Sequence, residues 1–401
     1  MSLRSLRFMT AGESHGPMLV GILEGLPAGT PIDVPAINAD LERRMGGYGR
    51  GKRMKIEHDR ARFVAGIRHG HALGSPIAYL IENRDWTNWQ HVMGSEPLET
   101  GSPAGDSRRI TRPRPGHADL AGGLKFDRSD LRDILERASA RETAARVAAG
   151  ALCKMFLAQL DLQIASHVIR IGEAGLEPDT SLSAQVVLER ADKSLVRCAD
   201  ALTEAAMIAA IDSASDSLDT LGGTFEVIAI NVPPGLGSHT QWDLKLDGRI
   251  AQAMMSIPAQ KAVEIGDAIW AAGQTGSVVH DPIHFDPEKG GFHRPSNHAG
   301  GLEGGITCGG EVRVRVFMKP LSTLRQPLPS VDILDGEPAE AVVQRSDVCA
   351  VPAAAVVGEA MLALTIADAC MEKFGGDSIG ETKRNYASYL QQVGRFPPRS
   401  P

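Results

Sequence analysis

The sequence predicts an α+β protein in which antiparallel sheets pack against helices. Short apolar stretches rich in Val and Ile, each closed by Gly or Pro, are typical of strands. They occur in neighbouring pairs before longer stretches in which apolar residues recur with helical spacing. A doubly wound parallel sheet would require strict alternation of strands and helices. The paired strands therefore favour antiparallel sheets.

Seven strands and five helices are expected along the chain. The apolar stretches predict strands at residues 3–9, 18–23, 63–67, 76–81, 164–171, 224–232 and 311–317. Helical spacing predicts helices at residues 36–44, 129–160, 199–218, 244–256 and 353–373. Residues 85–112, which contain Trp86 and Trp89, are expected to form a surface excursion. Residues 395–401 are expected to form a disordered tail.

The composition is that of a turn-rich globular protein. The 401 residues include 43 Gly and 24 Pro, and 43% are apolar against 23% charged, which is enough apolar residue for a large core. The net charge of −7 argues against general binding to nucleic acid or to an anionic membrane. Five widely spaced cysteines without a C-x-x-C motif predict reduced thiols in a cytoplasmic protein.

No segment is predicted to address or cross a membrane. The N-terminal residues hold no apolar stretch long enough for a signal peptide. The most apolar stretch, at residues 351–370, is interrupted by Glu359 and Asp368, each costly at the centre of a bilayer. This stretch is therefore expected to be a buried helix.

Two concentrations of basic residues predict a site for a small polyanion. Residues 43–62 hold eight Lys and Arg against two acidic residues, and residues 108–114 hold four Arg and no acid. Arginine suits bidentate binding of carboxylate and phosphate. Glycines in residues 46–51 would let backbone N–H groups approach an anion. With Tyr48 as the aromatic residue nearby, a small molecule is favoured over nucleic acid.

Familiar hydrolase, nucleotide-binding and metal-binding motifs are either absent or poorly supported by their context. Ser14 lies in a G-x-S-x-G pattern, but the several strands that precede a hydrolase nucleophile are missing. Neither a dinucleotide fingerprint nor a P-loop occurs. The histidines at 280 and 284 are separated by Pro282 and cannot share a helix face, so no metal site is predicted. A hydrolase at Ser14 and an RNA-binding module remain as alternatives.

The segment from residue 111 to residue 143 is the richest in chemistry. His117 follows Arg114 in a loop and is suited to protonate an anionic leaving group. Ser139 and Glu142 form a capping-box pattern, which indicates either a helix start or a break in the predicted helix. A helix start flanked by Arg137 and Arg141 would be an anion site.

Taken together, the longest motifs resemble those of the chorismate synthase family. They occur in the order of the family from residue 10 to about residue 373: TAGESHG (10–16), RR…YGRG (43–51), TRPRPGHAD (111–119), ERASARETAARVAAG (136–150), VEIGD (263–267), SNHAGGLEGGI (296–306), MKPLST (318–323) and RSDVCAVPA (345–353). So many motifs in register make a chance resemblance negligible.

The resemblance implies a fold and a reaction. The fold is a β-α-β sandwich with central helices between antiparallel sheets, formed as a single domain by residues 1–401 and assembled as a homotetramer. The reaction is the last step of the shikimate pathway, anti-1,4-elimination of phosphate from 5-enolpyruvylshikimate 3-phosphate to give chorismate. Its cofactor is reduced FMN, with no net redox change. The substrate carries two carboxylates and a phosphate, which accounts for the arginine clusters.

The resemblance also assigns residues. His15 would protonate or hold the charge of the reduced flavin, His117 would protonate the departing phosphate, and Asp347 would act as a relay base near the flavin. The implied substrate ligands are Ser14, Arg44, Arg50, Arg114, Arg141 and Arg345. The implied cofactor ligands are Arg44, Arg50, Arg137, Ala138, Ser139, Pro258, Ala259, Gly304, Lys319, Pro320, Leu321, Ser322, Thr323 and Arg345.

The source of electrons is a separate expectation. Because no dinucleotide fingerprint occurs, an external flavin reductase, with NADPH as an indirect reductant, is favoured over an intrinsic NADPH:FMN reductase. The chain departs from the family pattern at Pro258, where a polar residue is common, at Ala262, where Gly is usual, and in residues 133–136, where some members have a Gly-rich loop.

Overall fold

Two antiparallel sheets enclose a layer of helices. The computed structural model describes residues 5–51, 58–97, 108–177, 181–286, 291–344 and 346–396. Its strands are β1 Arg7–Ala11, β2 Met18–Glu24, β3 Ala61–Ala65, β4 Ile67–Arg68, β5 His71–Ala72, β6 Ile77–Glu82, β7 Gln163–Ile171, β8 Ala174–Gly175, β9 Gly223–Val232, β10 Gln260–Ile265, β11 His284–Asp286, β12 Gly291–His293, β13 Leu302–Glu303, β14 Ile306–Thr307, β15 Gly310–Met318, β16 Pro329–Val331 and β17 Pro338–Glu340.

The helices are distributed between the two sets of strands and after them. They are α1 Val34–Met45, α2 Gln90–Met93, α3 Asp119–Phe126, α4 Arg132–Ala138, α5 Thr143–Ala158, α6 Ala184–Arg190, α7 Ala201–Asp216, α8 Leu246–Met255, α9 Ala268–Ala271, α10 Gly276–Val279, α11 Val351–Phe374 and α12 Ile379–Gly394.

Each large sheet is antiparallel throughout. The first has the strand order β1-β2-β6-β3 and the second has the order β10-β15-β9-β7-β8. In the first sheet, Leu19 and Leu23 of β2 are buried while Ile22 is exposed, as the period-2 alternation of a half-covered sheet requires. The predicted α+β class and the sandwich of helices between antiparallel sheets are confirmed.

Helices α5 and α11 form the middle layer. α5 packs on β2 and α1, whereas α11 packs on α5, on α8 and on strands β7 and β9 of the second sheet. Small residues allow this layer to be thin: a Cβ on Gly150 would lie 2.3 Å from the Cα and Cβ of Ala360. A Cβ on Gly358 would lie 2.6 Å from the ring of Phe225. One apolar core therefore runs from sheet to sheet through the helices.

Helix α11 also has the length and apolarity of a membrane-spanning segment. Within the described ranges it is the helix that meets both criteria, and 94% of its most apolar window is buried inside the protein itself. Its apolar surface is therefore covered by α5, α8 and the second sheet, as expected for a core helix.

The predicted helix at residues 129–160 is wrong as a single element. The structure has α4 and α5 separated by Ser139, whose ψ of 142° is extended, and by a 3-10 turn at Ala140–Glu142. The hydroxyl of Ser139 accepts a hydrogen bond from Arg141 N, so a side-chain bond replaces the helical one at the break. The other four helices and all seven strands are present with shifted ends. Elements that were not predicted include strand β10 and helices α3, α6 and α12.

The two segments expected to be irregular are only partly described. In the first, Trp86–Asn88 forms a 3-10 turn that leads into α2, and residues 98–107 lie outside the described ranges. Of the expected tail, residues 397–401 lie outside them as well.

Candidate active site

A cavity of about 870 Å³ lies where α1, α4, α5 and α11 meet the loops around β10 and β15. This volume falls in the range of about 300–1,000 Å³ that is usual for small-molecule sites. Sixteen of the predicted site residues line it: Ser14, His15, Arg44, Arg50, Arg114, His117, Ala138, Ser139, Arg141, Pro258, Ala259, Lys319, Leu321, Ser322, Thr323 and Asp347. Residues from seven separate parts of the chain therefore converge on one space.

Four predicted residues are not among the residues that line the cavity. Arg137 turns away, because its guanidinium donates to the carbonyl oxygens of Thr10 and Gly12 at 3.1 and 3.0 Å. Gly304 lies in the turn between β13 and β14, and Pro320 is absent from the lining. Arg345 lies outside the described residues.

The basic stretches divide between the cavity and the rest of the fold. In the first stretch, Arg44 and Arg50 line the cavity. Arg43 does not line it and pairs with the buried Glu359 instead. Lys52, Arg53 and Lys55 lie outside the described residues. Charge clustering therefore predicted residues that line the candidate cavity, but it did not separate them from arginines that pair elsewhere in the fold.

Asp59 holds two of the cavity arginines side by side. Arg44 Nη2 lies 2.6 Å from Asp59 Oδ2, and Arg141 Nη1 bonds to Asp59 Oδ1. All three side chains are buried. Burial alone would raise the pKa of Asp59, but the two guanidiniums outweigh it and lower the pKa. The carboxylate thus stays charged and fixes both arginines in place.

His117 is held by the buried carboxylate of Asp119. This residue ends the TRPRPGHAD motif, but no role was predicted for it from the sequence. His117 Nδ1 lies 2.6 Å from Asp119 Oδ1. The same carboxylate accepts from Arg114 Nε at 2.9 Å and from Arg114 Nη2 at 3.1 Å. Arg114 Nη1 also donates to Thr323 Oγ1 at 2.8 Å. Although burial opposes it, hydrogen bonds from His117 and Arg114 lower the pKa of Asp119.

His15 has a matching arrangement. His15 Nδ1 lies 2.9 Å from each carboxylate oxygen of Glu136, and its backbone N–H donates to the same group at 2.8 Å. Arg132 Nη1 donates to Glu136 Oε1 at 3.0 Å. The imidazole stacks on Trp89 with ring centroids 3.7 Å apart, and the guanidinium of Arg108 lies 4.3 Å from that indole.

The charge of the cavity wall is strongly positive. Among the described lining residues, six cations face a single carboxylate, that of Asp347: Arg44, Arg50, Arg114, Arg141, Lys319 and Arg325. Within the described part of the chain, Lys319 and Arg325 form no ion pair, although Lys319 Nζ donates to Gly116 O at 2.8 Å. Burial, with Lys261 nearby, lowers the pKa of Lys319. Arg325, two residues beyond the MKPLST motif, was not predicted.

Many of the residues that line the cavity are apolar. The set called here the apolar wall consists of Ile257, Pro258, Ala259, Met318, Leu321, Val343, Ala350, Ala353, Ala354 and Val357. Ala259 has a φ of 69°, which is unusual for a residue with a side chain. Its carbonyl oxygen accepts from Lys319 N at 3.0 Å, and this bond joins the two loops that border the wall. An apolar surface beside a cationic one suits a ligand with a planar ring and attached anions.

Comparisons with known proteins agree with this geometry. A family model described as Chorismate synthase matches residues 6–371. The chain belongs to the chorismate synthase family. It is 53% identical over 391 residues to chorismate synthase of Solibacter usitatus, covering 98% of this chain and 100% of the relative. It is 54% identical to that of Symbiobacterium thermophilum, covering 97% of this chain and 100% of the relative.

A solved structure gives the same assignment. The chain is similar to "Crystal Structure of Chorismate Synthase" with a TM-score of 0.79 and 44% identity, covering 98% of this chain and 100% of the other. The predictions of a chorismate synthase, and of a lyase of the shikimate pathway that acts on a small molecule, are therefore confirmed. The hydrolase and RNA-binding alternatives are set aside, since chorismate synthase accounts for the same motifs.

Proposed function

We propose that the 870 Å³ cavity binds 5-enolpyruvylshikimate 3-phosphate together with reduced FMN, and that phosphate is eliminated there to give chorismate. The observation that carries this proposal is the combination of six cations, two carboxylate-held histidines and an apolar wall around one space. Each part answers one need: anion binding, proton handling and contact with a planar ring.

The arginines are suited to the two carboxylates and the phosphate of the substrate. A guanidinium has five N–H donors, so an arginine that gives one or two of them to Asp59 retains others for a ligand. Arg44 Nε is buried and has no hydrogen-bond partner among the described residues. A buried donor of this kind gains most from an anion in the cavity. Arg50, Arg114 and Ser14 complete the assigned substrate set, with Arg345 outside the described residues.

The same cavity suits the cofactor. The apolar wall that contains Pro258 and Ala259 would contact the flavin ring, while Lys319 and the hydroxyls of Ser322 and Thr323 are suited to its polar groups. Proline at 258 presents a ring without a side-chain donor, so this wall binds by contact area. The chemistry that bound reduced flavin supplies is transient donation of electron density, with no net redox change.

Proton handling falls to three side chains. His117 is assigned the protonation of the departing phosphate, and the adjacent Arg114 guanidinium would hold that anion. His15 is assigned the charge of the reduced flavin, and Asp347 is assigned the relay base. The chain itself thus orients the ligands, balances their charge and moves protons.

We further propose a homotetramer in the cytoplasm that receives reduced FMN from an external reductase using NADPH. The family resemblance supports the assembly, and the missing dinucleotide fingerprint supports the external reductase. Sedimentation of a species of four 42.7 kDa chains would agree with the assembly, whereas a monomer at micromolar concentration would not. Oxidation of NADPH by the pure protein with FMN would refute the external source.

An anaerobic rapid-mixing experiment tests the reaction. Mixing the protein with pre-reduced FMN and substrate should give a transient flavin absorbance change and one phosphate per site. We expect His117→Ala and Asp347→Ala to slow phosphate release about 100-fold or more. The control Asp133→Asn removes an exposed carboxylate outside the lining and should keep the wild-type rate. No phosphate from the wild type, or unchanged rates in both variants, would contradict the proposal.

A further inference from the structure

Both histidines that line the cavity have the same kind of hydrogen-bond partner. Each uses Nδ1 to contact a carboxylate that is buried and that also binds an arginine: Asp119 with Arg114 for His117, and Glu136 with Arg132 for His15. Asp119 is 0% exposed and Glu136 is 1% exposed. Neither carboxylate is among the residues that line the cavity, so each would act on a ligand there only through its histidine.

The charge state of the carboxylates determines where the ring proton lies. His117 Nδ1 lies 2.6 Å from Asp119 Oδ1 and 3.0 Å from Arg114 Nη2, which itself donates to Asp119 Oδ1. An ionised carboxylate accepts hydrogen bonds and donates none, so an unprotonated Nδ1 would place two acceptors 2.6 Å apart. The shorter contact therefore places the proton on Nδ1. Arg114 keeps Asp119 ionised, because it donates to both carboxylate oxygens. The proton that His117 gains or loses is then the one on Nε2.

Glu136 imposes the same arrangement on His15 and adds an orientation. It accepts from the backbone N–H of His15 as well as from the ring, so the main chain and the imidazole are fixed together. Trp89 covers one face of the ring. Arg132 plays the part that Arg114 plays for Asp119.

We propose that Asp119 and Glu136 are positioning residues, which hold His117 and His15 in the Nδ1–H form so that each exchanges its working proton at Nε2. This inference rests on the proposed function, because it takes the two histidines as the groups that handle protons and charge. Each ring faces a carboxylate that is itself paired with an arginine, so removing either of these charges changes the free energy of a positive charge on the ring.

For His117, we expect Asp119→Asn and Arg114→Gln to shift the pH profile of phosphate release in opposite directions. The charged groups that face this ring are Asp119 and Arg114, with Lys319 bound to the neighbouring Gly116 carbonyl. Asp119→Asn removes the negative charge, so the rate of phosphate release should begin to fall at a pH lower by about one unit or more. Arg114→Gln removes the positive charge, so that fall should move to higher pH. A purely structural role would not give opposite signs.

His15 calls for a different readout, namely the affinity for flavin in each redox state. The charged groups around this ring include Glu136, Arg132, which donates to Glu136, and Arg108, whose guanidinium lies over the Trp89 indole. Glu136→Gln makes the imidazolium less favourable and should weaken binding of reduced FMN about tenfold relative to oxidised FMN. Fluorescence titration with oxidised FMN and anaerobic titration with reduced FMN measure the two affinities.

The matched control is Asp368→Asn. Asp368 is buried and bonded to Arg249, like the positioning carboxylates, but contacts neither histidine and does not line the cavity. The Asp368→Asn variant should be less stable than the wild type. Its pH profile of phosphate release and its ratio of affinities for reduced and oxidised FMN should be unchanged.

Two results distinguish the positioning role of Asp119 from the proton-donor role of His117. If His117→Ala is inactive while Asp119→Asn keeps the wild-type rate and pH profile, the positioning role is wrong and the proposed function stands. If His117→Ala releases phosphate at the normal rate, the assignment of the proton donor fails first. Equal shifts in Asp119→Asn and Asp368→Asn would also overturn the positioning role.

Discussion

Asp347 is bound to Arg50, with Oδ2 of the carboxylate 2.8 Å from Nη1 of the guanidinium. The other oxygen, Oδ1, accepts from the backbone N–H of Gly51 at 2.6 Å. This pair joins the loop after α1 to the loop before α11, and both residues line the cavity. A residue assigned to substrate anions and a residue assigned to proton relay therefore form one unit.

Coupling between these two residues is the first prediction. Arg50→Ala and Asp347→Ala should each slow single-turnover phosphate release. The double variant should lose less than the product of the two losses, with a coupling of about 1–3 kcal/mol, because each single change already breaks the shared contact. Rapid-mixing rates for the four proteins measure the coupling, and strictly multiplicative losses would show that the residues act independently.

Close packing of the central helices gives the second prediction. Gly150→Ala places a methyl group 2.3 Å from Ala360, so we expect a loss of about 1–3 kcal/mol in the free energy of unfolding. Gly248→Ala in α8 meets no atom within 4 Å and should gain about 0.5–1 kcal/mol, since Ala has the higher helix propensity. Urea denaturation measures both. Equal effects would contradict the close approach of α5 and α11.

The backbone of the cavity wall gives the third prediction. Ala259 has φ at 69°, where a side chain costs about 1–2 kcal/mol, so Ala259→Gly relieves strain that offsets the extra freedom of Gly in the unfolded chain. We expect its stability to stay within about 0.5 kcal/mol of the wild type. The same change at Ala253, inside α8, should cost about 1 kcal/mol. Thermal unfolding compares the two, and an equal loss would argue against the strained backbone.

A fourth prediction concerns acid stability. Glu359 is fully buried and contacts Arg43, Lys154 and Arg197. Burial alone would raise its pKa, but these cations hold the pKa well below the ordinary value. Its contribution is therefore complete above about pH 4.5, the range of an unfolded Glu, and is lost as pH falls towards the folded pKa. We expect Glu359→Gln to lose about 3–5 kcal/mol at pH 7 and to flatten the acid slope.

The control for this prediction is an exposed pair. Glu42→Gln breaks a contact with Arg60 in which both side chains are more than half exposed, and should change stability by less than about 0.5 kcal/mol. Denaturation curves between about pH 2 and pH 8, which include the range below the pKa of an unfolded Glu, test both variants. An acid slope for Glu359→Gln as steep as that of the wild type would place the proton uptake elsewhere.

A fifth prediction concerns the thiols. All five cysteines are free, and burial raises the pKa of Cys198, Cys308 and Cys349 to about 11. At pH 8 the thiolate fraction is therefore small, so a thiol reagent should label the folded protein slowly and the unfolded protein completely. Cys308, the least buried, should react first, and Cys308→Ser should remove that phase. Rapid labelling of several thiols in the folded protein would contradict this order.

Most strands of the two large sheets and several arginines of the candidate cavity were predicted from the sequence. Apolar stretches closed by Gly or Pro and clusters of arginine are local features, so both can be recognised in short stretches of chain. The capping-box pattern at Ser139 and Glu142 indicated a break in the predicted helix only as one of two interpretations. Helical spacing continues across it, and a single side-chain bond to Arg141 N decides the outcome.

The partners of the site residues could not be predicted in the same way. His15 meets Glu136 across 121 positions, and Trp89 reaches the imidazole from the excursion after the first sheet. Such contacts arise from tertiary packing and leave no periodic signal. Asp119 was close in sequence to His117, but only the distance between them reveals its function.

The position of α11 in the chain has a consequence for synthesis. The strands of both sheets precede residue 319, but the helix that fills the space between them begins at Val351. A growing chain therefore exposes the inner face of the second sheet until translation has passed residue 374. The sandwich closes only after nearly the whole chain has left the ribosome, and the emerging chain should depend on chaperones during that interval.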